Sequence, residues 1–118
     1  MKNNQLPRLT IVVPCYNEEP VLPNSAPILQ TLLQHLIDNQ QIATDSKLLF
    51  VDDGSQDQTW ALITQLHHQD PLFTGLQFSR NYGQEAALMA GMQVANQYSD
   101  LIITIDADLQ DDPTIIPA

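Results

Sequence analysis

Leu101-Ile102-Ile103-Thr104-Ile105 runs directly into Asp106-Ala107-Asp108-Leu109-Gln110-Asp111-Asp112, and this change from apolar to acidic decides the fold. Similar junctions occur three more times. Leu9-Thr10-Ile11-Val12-Val13 meets Pro14-Cys15-Tyr16-Asn17-Glu18-Glu19. Leu48-Leu49-Phe50-Val51 meets Asp52-Asp53-Gly54-Ser55. Leu76-Gln77-Phe78 meets Ser79-Arg80-Asn81-Tyr82-Gly83. Short apolar runs bounded by turn residues read as strands. In an open α/β sheet the ligand crevice lies outside the carboxyl ends of the strands. Polar clusters at four successive strand ends therefore predict one shared site.

Helical patterns separate the strands. Strand one spans roughly residues 8–14, and a helix is expected over roughly 25–40. There Ile28, Leu29, Leu32, Leu33, Leu36 and Ile37 recur on one face. Pro20, Pro23 and Pro27 mark an irregular entry, with Asn24 or Ser25 as the N-cap. Strand two (46–52) precedes a helix at 56–69 with Trp60, Ile63 and Leu66 on one side. Strand three (74–79) alternates, as a half-exposed edge strand does. A helix at 83–97 carries the small residues Ala86, Ala87, Ala90, Gly91 and Ala95, which suit close packing on a sheet. Strand four spans 101–106. Strands one, two and four are continuous apolar runs, the mark of strands covered on both faces. Alternating β and α elements imply right-handed crossovers and a mainly parallel sheet, hence a three-layer α/β/α domain.

A chain of 118 residues with 43% apolar content is large enough for one cored domain. Its net charge of −10 leaves only Lys2, Arg8, Lys47 and Arg80 as basic residues, which argues against nucleic-acid binding. Nine of the fourteen acids follow strand ends, where they repel one another unless a cation or a donor-rich ligand compensates. Cys15 has no disulfide partner and reads as a small buried residue. The polar start and the absence of a long apolar run give a soluble, cytoplasmic reading of the chain. Ile115-Ile116-Pro117-Ala118 looks like the opening of another helix, so the chain reads as the front part of something larger.

Asp106 and Asp108, two residues apart after a strand, can share a divalent cation. Ala107 leaves room beside the backbone, and Gln110 can add a carbonyl oxygen. Hard oxygen donors favour Mg²⁺ or Mn²⁺ over Zn²⁺. Of Asp52 and Asp53, one can cap the local turn while the other faces the crevice. Gly54 permits that turn. Tyr16 offers a stacking face and Glu18 an acceptor. Arg80 can pair either with a phosphate or with a neighbouring acid.

Together these motifs resemble family 2 glycosyltransferases. They are Val12-Val13-Pro14-Cys15-Tyr16-Asn17-Glu18-Glu19, Val51-Asp52-Asp53-Gly54-Ser55-Gln56-Asp57-Gln58-Thr59, Ser79-Arg80-Asn81-Tyr82-Gly83-Gln84-Glu85-Ala86-Ala87-Leu88 and Asp106-Ala107-Asp108-Leu109-Gln110-Asp111. The last two are similar to those of bacterial polyprenyl-phosphate glycosyltransferases, relatives of dolichol-phosphate mannosyltransferase. The resemblance covers roughly residues 8–117. It implies the nucleotide-binding half of a GT-A (Rossmann-like) fold and inverting, metal-dependent transfer from a UDP- or GDP-linked sugar to an acceptor such as a polyprenyl phosphate. It also implies that Pro14, Tyr16, Glu18, Val51 and Asp53 hold the nucleoside, with Asp52 nearby. Asp106 and Ala107 would contact ribose and phosphate, and Asp106, Asp108 and Gln110 would hold Mg²⁺ or Mn²⁺.

In such enzymes the general base, the acceptor site and any membrane helices fall beyond the position of Ala118. The full-length protein is then expected at the cytoplasmic face of the membrane, and the 118 residues alone are expected to be inactive. The alternative is a non-catalytic nucleotide-sugar-binding module or regulatory subunit. A receiver-type phospho-acceptor domain would need its acid pair after strand one and a Lys after the last strand. A Rossmann dehydrogenase would need G-x-G-x-x-G after strand one. An uncovered face of strand four would favour self-association.

Overall fold

The computed structural model describes residues 6–109. The element order is β1 (Leu9–Cys15), α1 (Leu22–Asp38), β2 (Lys47–Asp52), α2 (Thr59–Gln69), β3 (Phe73–Gln77), α3 (Gln84–Asn96) and β4 (Leu101–Thr104). All strand pairings are parallel, in the order β3-β2-β1-β4. The chain thus builds the sheet outward through β2 and β3, then returns past β1 to add β4. The direction of building reverses between β1 and β4.

Side chains alternate between the two faces of a strand, and the two cores follow that alternation. Leu9, Ile11 and Val13 of β1 and Leu48 and Phe50 of β2 pack beneath α1 and α2. Val12 of β1 and Leu49 and Val51 of β2 pack against Ala87 and Ala95 of α3. This gives the expected three layers. The small residues of α3 serve close approach: a Cβ on Gly91 would lie 2.6 Å from a Val12 methyl and 2.9 Å from a Val51 methyl.

Four expectations need correction. The helix α1 begins at Leu22 with Val21 as N-cap, so neither Asn24 nor Ser25 caps it. Pro23 falls in the first turn, where no backbone N–H is needed, so it does not delay the helix, and Pro27 lies inside it. Ile28 is turned outward, 47% exposed, while Leu29, Leu33 and Leu36 carry the core contact. Trp60 is only half-buried at the margin of the core. Finally, among the described residues β4 is only partly covered and pairs on one side alone, with Leu101 48% exposed. No helix among the described residues is long and apolar enough to cross a membrane.

Candidate active site

The carboxyl ends of β1, β2 and β4 are held level by backbone hydrogen bonds. The Asp53 N–H donates to the Cys15 carbonyl at 2.8 Å, and the Ile105 N–H donates to the Val12 carbonyl at 3.1 Å. Above them opens a crevice of about 220 Å³, lined by Pro14, Cys15, Tyr16, Glu18, Asp53, Gln84, Ala87, Asp106, Ala107 and Asp108. It lies where the sheet reverses direction between β1 and β4. That is the position at which open α/β sheets take their ligands.

Most of the residues proposed from the sequence meet here. Pro14, Tyr16, Glu18, Asp53, Asp106, Ala107 and Asp108 all line the crevice. Tyr16 is 43% exposed where it lines the crevice. Ala107 is buried in the floor. Val51 lies below, in the core against α3. Arg80 is not among the lining residues; its guanidinium stacks over the Tyr82 ring at 4.8 Å. Gln110 lies outside the described residues. Gln84 and Ala87, from the start of α3, line the crevice but were not singled out as ligand contacts from the sequence.

The two aspartates at the end of β2 have separate surroundings. Asp52 is fully buried, and its Oδ1 accepts from the Ser55 N–H at 3.1 Å, closing the turn around Gly54. Its Oδ2 has no hydrogen-bond partner among the described residues. Asp53 reaches the crevice but is also tied to the loop before α3. Its Oδ1 accepts from the Tyr82 N–H at 2.7 Å. Its Oδ2 accepts from the Gly83 N–H and the Asn81 side-chain amide, both at 3.0 Å.

The loops after β1 and β2 are fastened to each other. The Asn17 N–H donates to Ser55 Oγ and the Gln56 N–H to Asn17 Oδ1. The Glu18 N–H donates to Thr59 Oγ1, the Glu19 N–H to Asp57 Oδ2 and the Gln58 N–H to Glu19 Oε1. Asn17 adopts φ 53, a conformation tolerated by asparagine, and bridges the two loops. Burial opposes ionisation of Asp57, but hydrogen bonds from Thr59 and from the Glu19 N–H outweigh it and hold this carboxyl low. Glu19 and Asp57 are therefore occupied in holding Glu18 in place.

The electrostatics of the crevice are one-sided. Burial first, then the charges of Asp108, Asp57 and Asp106, push the Glu18 carboxyl above its usual value. Burial, with Glu18 and Asp52, likewise pushes the Cys15 thiol far up, so it stays protonated and is no nucleophile. No Lys or Arg is among the described residues that line the crevice. An acid whose pKa is raised by folding destabilises the fold once ionised. That cost is fully present above the folded pKa and fades as pH falls toward the ordinary Glu value of 4.5. Glu18→Gln should therefore raise the melting temperature at neutral pH, with a gain that shrinks on acidification. Thermal denaturation across pH tests this; a gain that grows on acidification would contradict it.

Among the described residues, no three His, Cys, Asp or Glu side chains form a metal cluster by themselves. The donor set nevertheless fits a hard cation. Mg²⁺-type ions are commonly held by one or two carboxylates together with substrate phosphates and water. Asp106 and Asp108 offer two such carboxylates on one wall.

Fold and crevice together define an open-sheet α/β protein with an acidic crevice at its topological switch. Residues 10–118 match the family model described as Glycosyl transferase family 2, and the chain belongs to that family of glycosyltransferases. A Bacillus subtilis protein described as uncharacterized glycosyltransferase YkoT is 50% identical over 116 residues, covering 98% of this chain and 34% of that protein. The undecaprenyl-phosphate 4-deoxy-4-formamido-L-arabinose transferase of Photorhabdus laumondii is 39% identical over 118 residues, covering 99% of this chain and 34% of that protein. Among solved structures, the mannosyltransferase PcManGT of Pyrobaculum calidifontis, in complex with GDP-Man and Mn²⁺, superposes with a TM-score of 0.67 at 22% identity. That match covers 87% of this chain and 28% of the other, and shows a shared fold. The chain spans about a third of the length of the relatives it matches.

Proposed function

We propose that this chain is the nucleotide-sugar-binding part of a longer inverting glycosyltransferase. The enzyme moves a sugar from a nucleoside-diphosphate sugar to a polyprenyl phosphate at the cytoplasmic face of the membrane. One observation carries the reading: Glu18, Asp106 and Asp108 line a single crevice with no basic side chain among its described lining residues. An acidic crevice accepts an anionic diphosphate through a bridging cation. Mg²⁺ or Mn²⁺ bound there would supply charge stabilisation to the departing diphosphate.

The chain's own residues then divide the work. Tyr16 stacks on the base, and Glu18 accepts from base or ribose. Asp53 fixes the loop before α3 at the nucleoside side. Asp106 and Asp108, with Gln110, hold the cation, and the small Ala107 leaves space for ribose and phosphate. Relatives named as undecaprenyl-phosphate transferases support the lipid acceptor.

The test is transfer of labelled sugar to undecaprenyl phosphate by the full-length protein in detergent or vesicles. Transfer that requires Mg²⁺ or Mn²⁺, and that drops at least about a hundredfold in Asp108→Asn, is expected on the scale of a lost charge-stabilising group. Full activity in Asp108→Asn would overturn the metal assignment. Nucleotide-sugar binding without any transfer would favour a regulatory binding module.

A further inference from the structure

We propose that Gln84 is a positioning residue for Asp106, an assignment that rests on the function proposed above. Gln84 is the first residue of α3, and its Nε2 donates to Asp106 Oδ1 across the crevice at 3.4 Å, long for a hydrogen bond. Long contacts of this kind tighten when an active site fills. The crevice otherwise presents the carboxylates of Glu18, Asp53, Asp106 and Asp108, so a neutral amide donor among them has a distinct use. By engaging one oxygen of Asp106, it fixes the carboxylate plane and leaves the second oxygen for a cation. A lysine there would hold Asp106 too, but would add a positive charge beside the metal.

The placement of Gln84 is itself built in. Asp53 at the end of β2 takes the Tyr82 and Gly83 N–H groups, the two residues before Gln84. Asp106 follows β4, on the far side of β1 from β2. Gln84 therefore links the β2 end to the β4 end across the top of β1. Its side chain is exposed, so removing the amide need not disturb the core.

The probe is Mn²⁺, titrated alone and with UDP or GDP and followed by electron paramagnetic resonance. Gln84→Met keeps the length of the side chain and removes the donor. It should weaken nucleotide-dependent Mn²⁺ binding about three- to tenfold with no change in melting temperature, the scale of one ordinary hydrogen bond. The loss should be absent in an Asp106→Glu background, where the carboxylate sits elsewhere, because residues that act through one another are not additive. In the metal-free chain, Asp106→Asn should shift the side-chain amide resonances of Gln84. Mn²⁺ binding in the wild type that Gln84→Met leaves intact, a loss equal in both backgrounds, or unshifted Gln84 resonances would each overturn the role. No nucleotide-dependent Mn²⁺ binding in the wild type would instead overturn the proposed function beneath it.

Discussion

Gly54→Ala is expected to cost about 3–5 kcal/mol of folding stability, the upper range for a single substitution. Two independent effects act at this position. Gly54 has φ +68, a region that side chains with a Cβ enter at a cost. Worse, an added Cβ would stand 2.1 Å from the Arg80 carbonyl carbon and 2.4 Å from the Asn81 nitrogen. Both are backbone atoms, so no side chain can swing aside. The loop after β2 must retreat from the loop before α3, and the Asp53 contacts to Tyr82 and Gly83 separate with it. Urea denaturation checks this through a large drop in midpoint. An unchanged midpoint would mean that the two loops do not touch as described.

Asp53→Ala is the second large effect, expected at about 3 kcal/mol from the loss of three hydrogen bonds to a buried carboxylate. The Asp53 side chain is 3% exposed and accepts from three donors in residues 81–83. Without it the Tyr82 and Gly83 amides should lose protection in hydrogen exchange, while amides in the centre of β1 keep theirs. Retained protection at both loop amides would show that the carboxylate is not what orders the segment. Because Gln84 follows this loop directly, the same variant should also weaken any ligand bound in the crevice.

The central strands were readable because burial on both faces leaves a continuous apolar signature, as in Ile11-Val12-Val13 and Leu48-Leu49-Phe50. Leu101-Ile102-Ile103-Thr104 has the same signature, yet among the described residues β4 pairs with β1 alone, a placement set by strand order that no local pattern encodes. The start of α1 was hidden by Pro23, a residue that breaks helices inside but fits their first turn.

At the crevice, Tyr16, Glu18, Asp106 and Asp108 were legible because a strand end dictates where its next residues go. Ala87 was not, because it arrives on α3, whose seat depends on the packing of Gly91 against Val12 and Val51. The choice between Asp52 and Asp53 was also closed to the sequence. It turns on which residue is last in the ladder: Asp52 still pairs with Cys15, and Asp53 is the first beyond it. Likewise Asn17, Glu19, Ser55 and Asp57 resemble ordinary loop residues until the two loops are brought together.

The central claim is that Glu18, Asp106 and Asp108 form one crevice that takes a nucleoside diphosphate through a divalent cation. Titration of the chain with UDP and GDP, each with and without Mn²⁺, tests it most directly. One of the two nucleotides should bind at least about tenfold more tightly with Mn²⁺, a difference of about 1.4 kcal/mol, and Asp108→Ala should abolish that gain. Affinity that is indifferent to Mn²⁺, or a gain that survives in Asp108→Ala, would contradict the account.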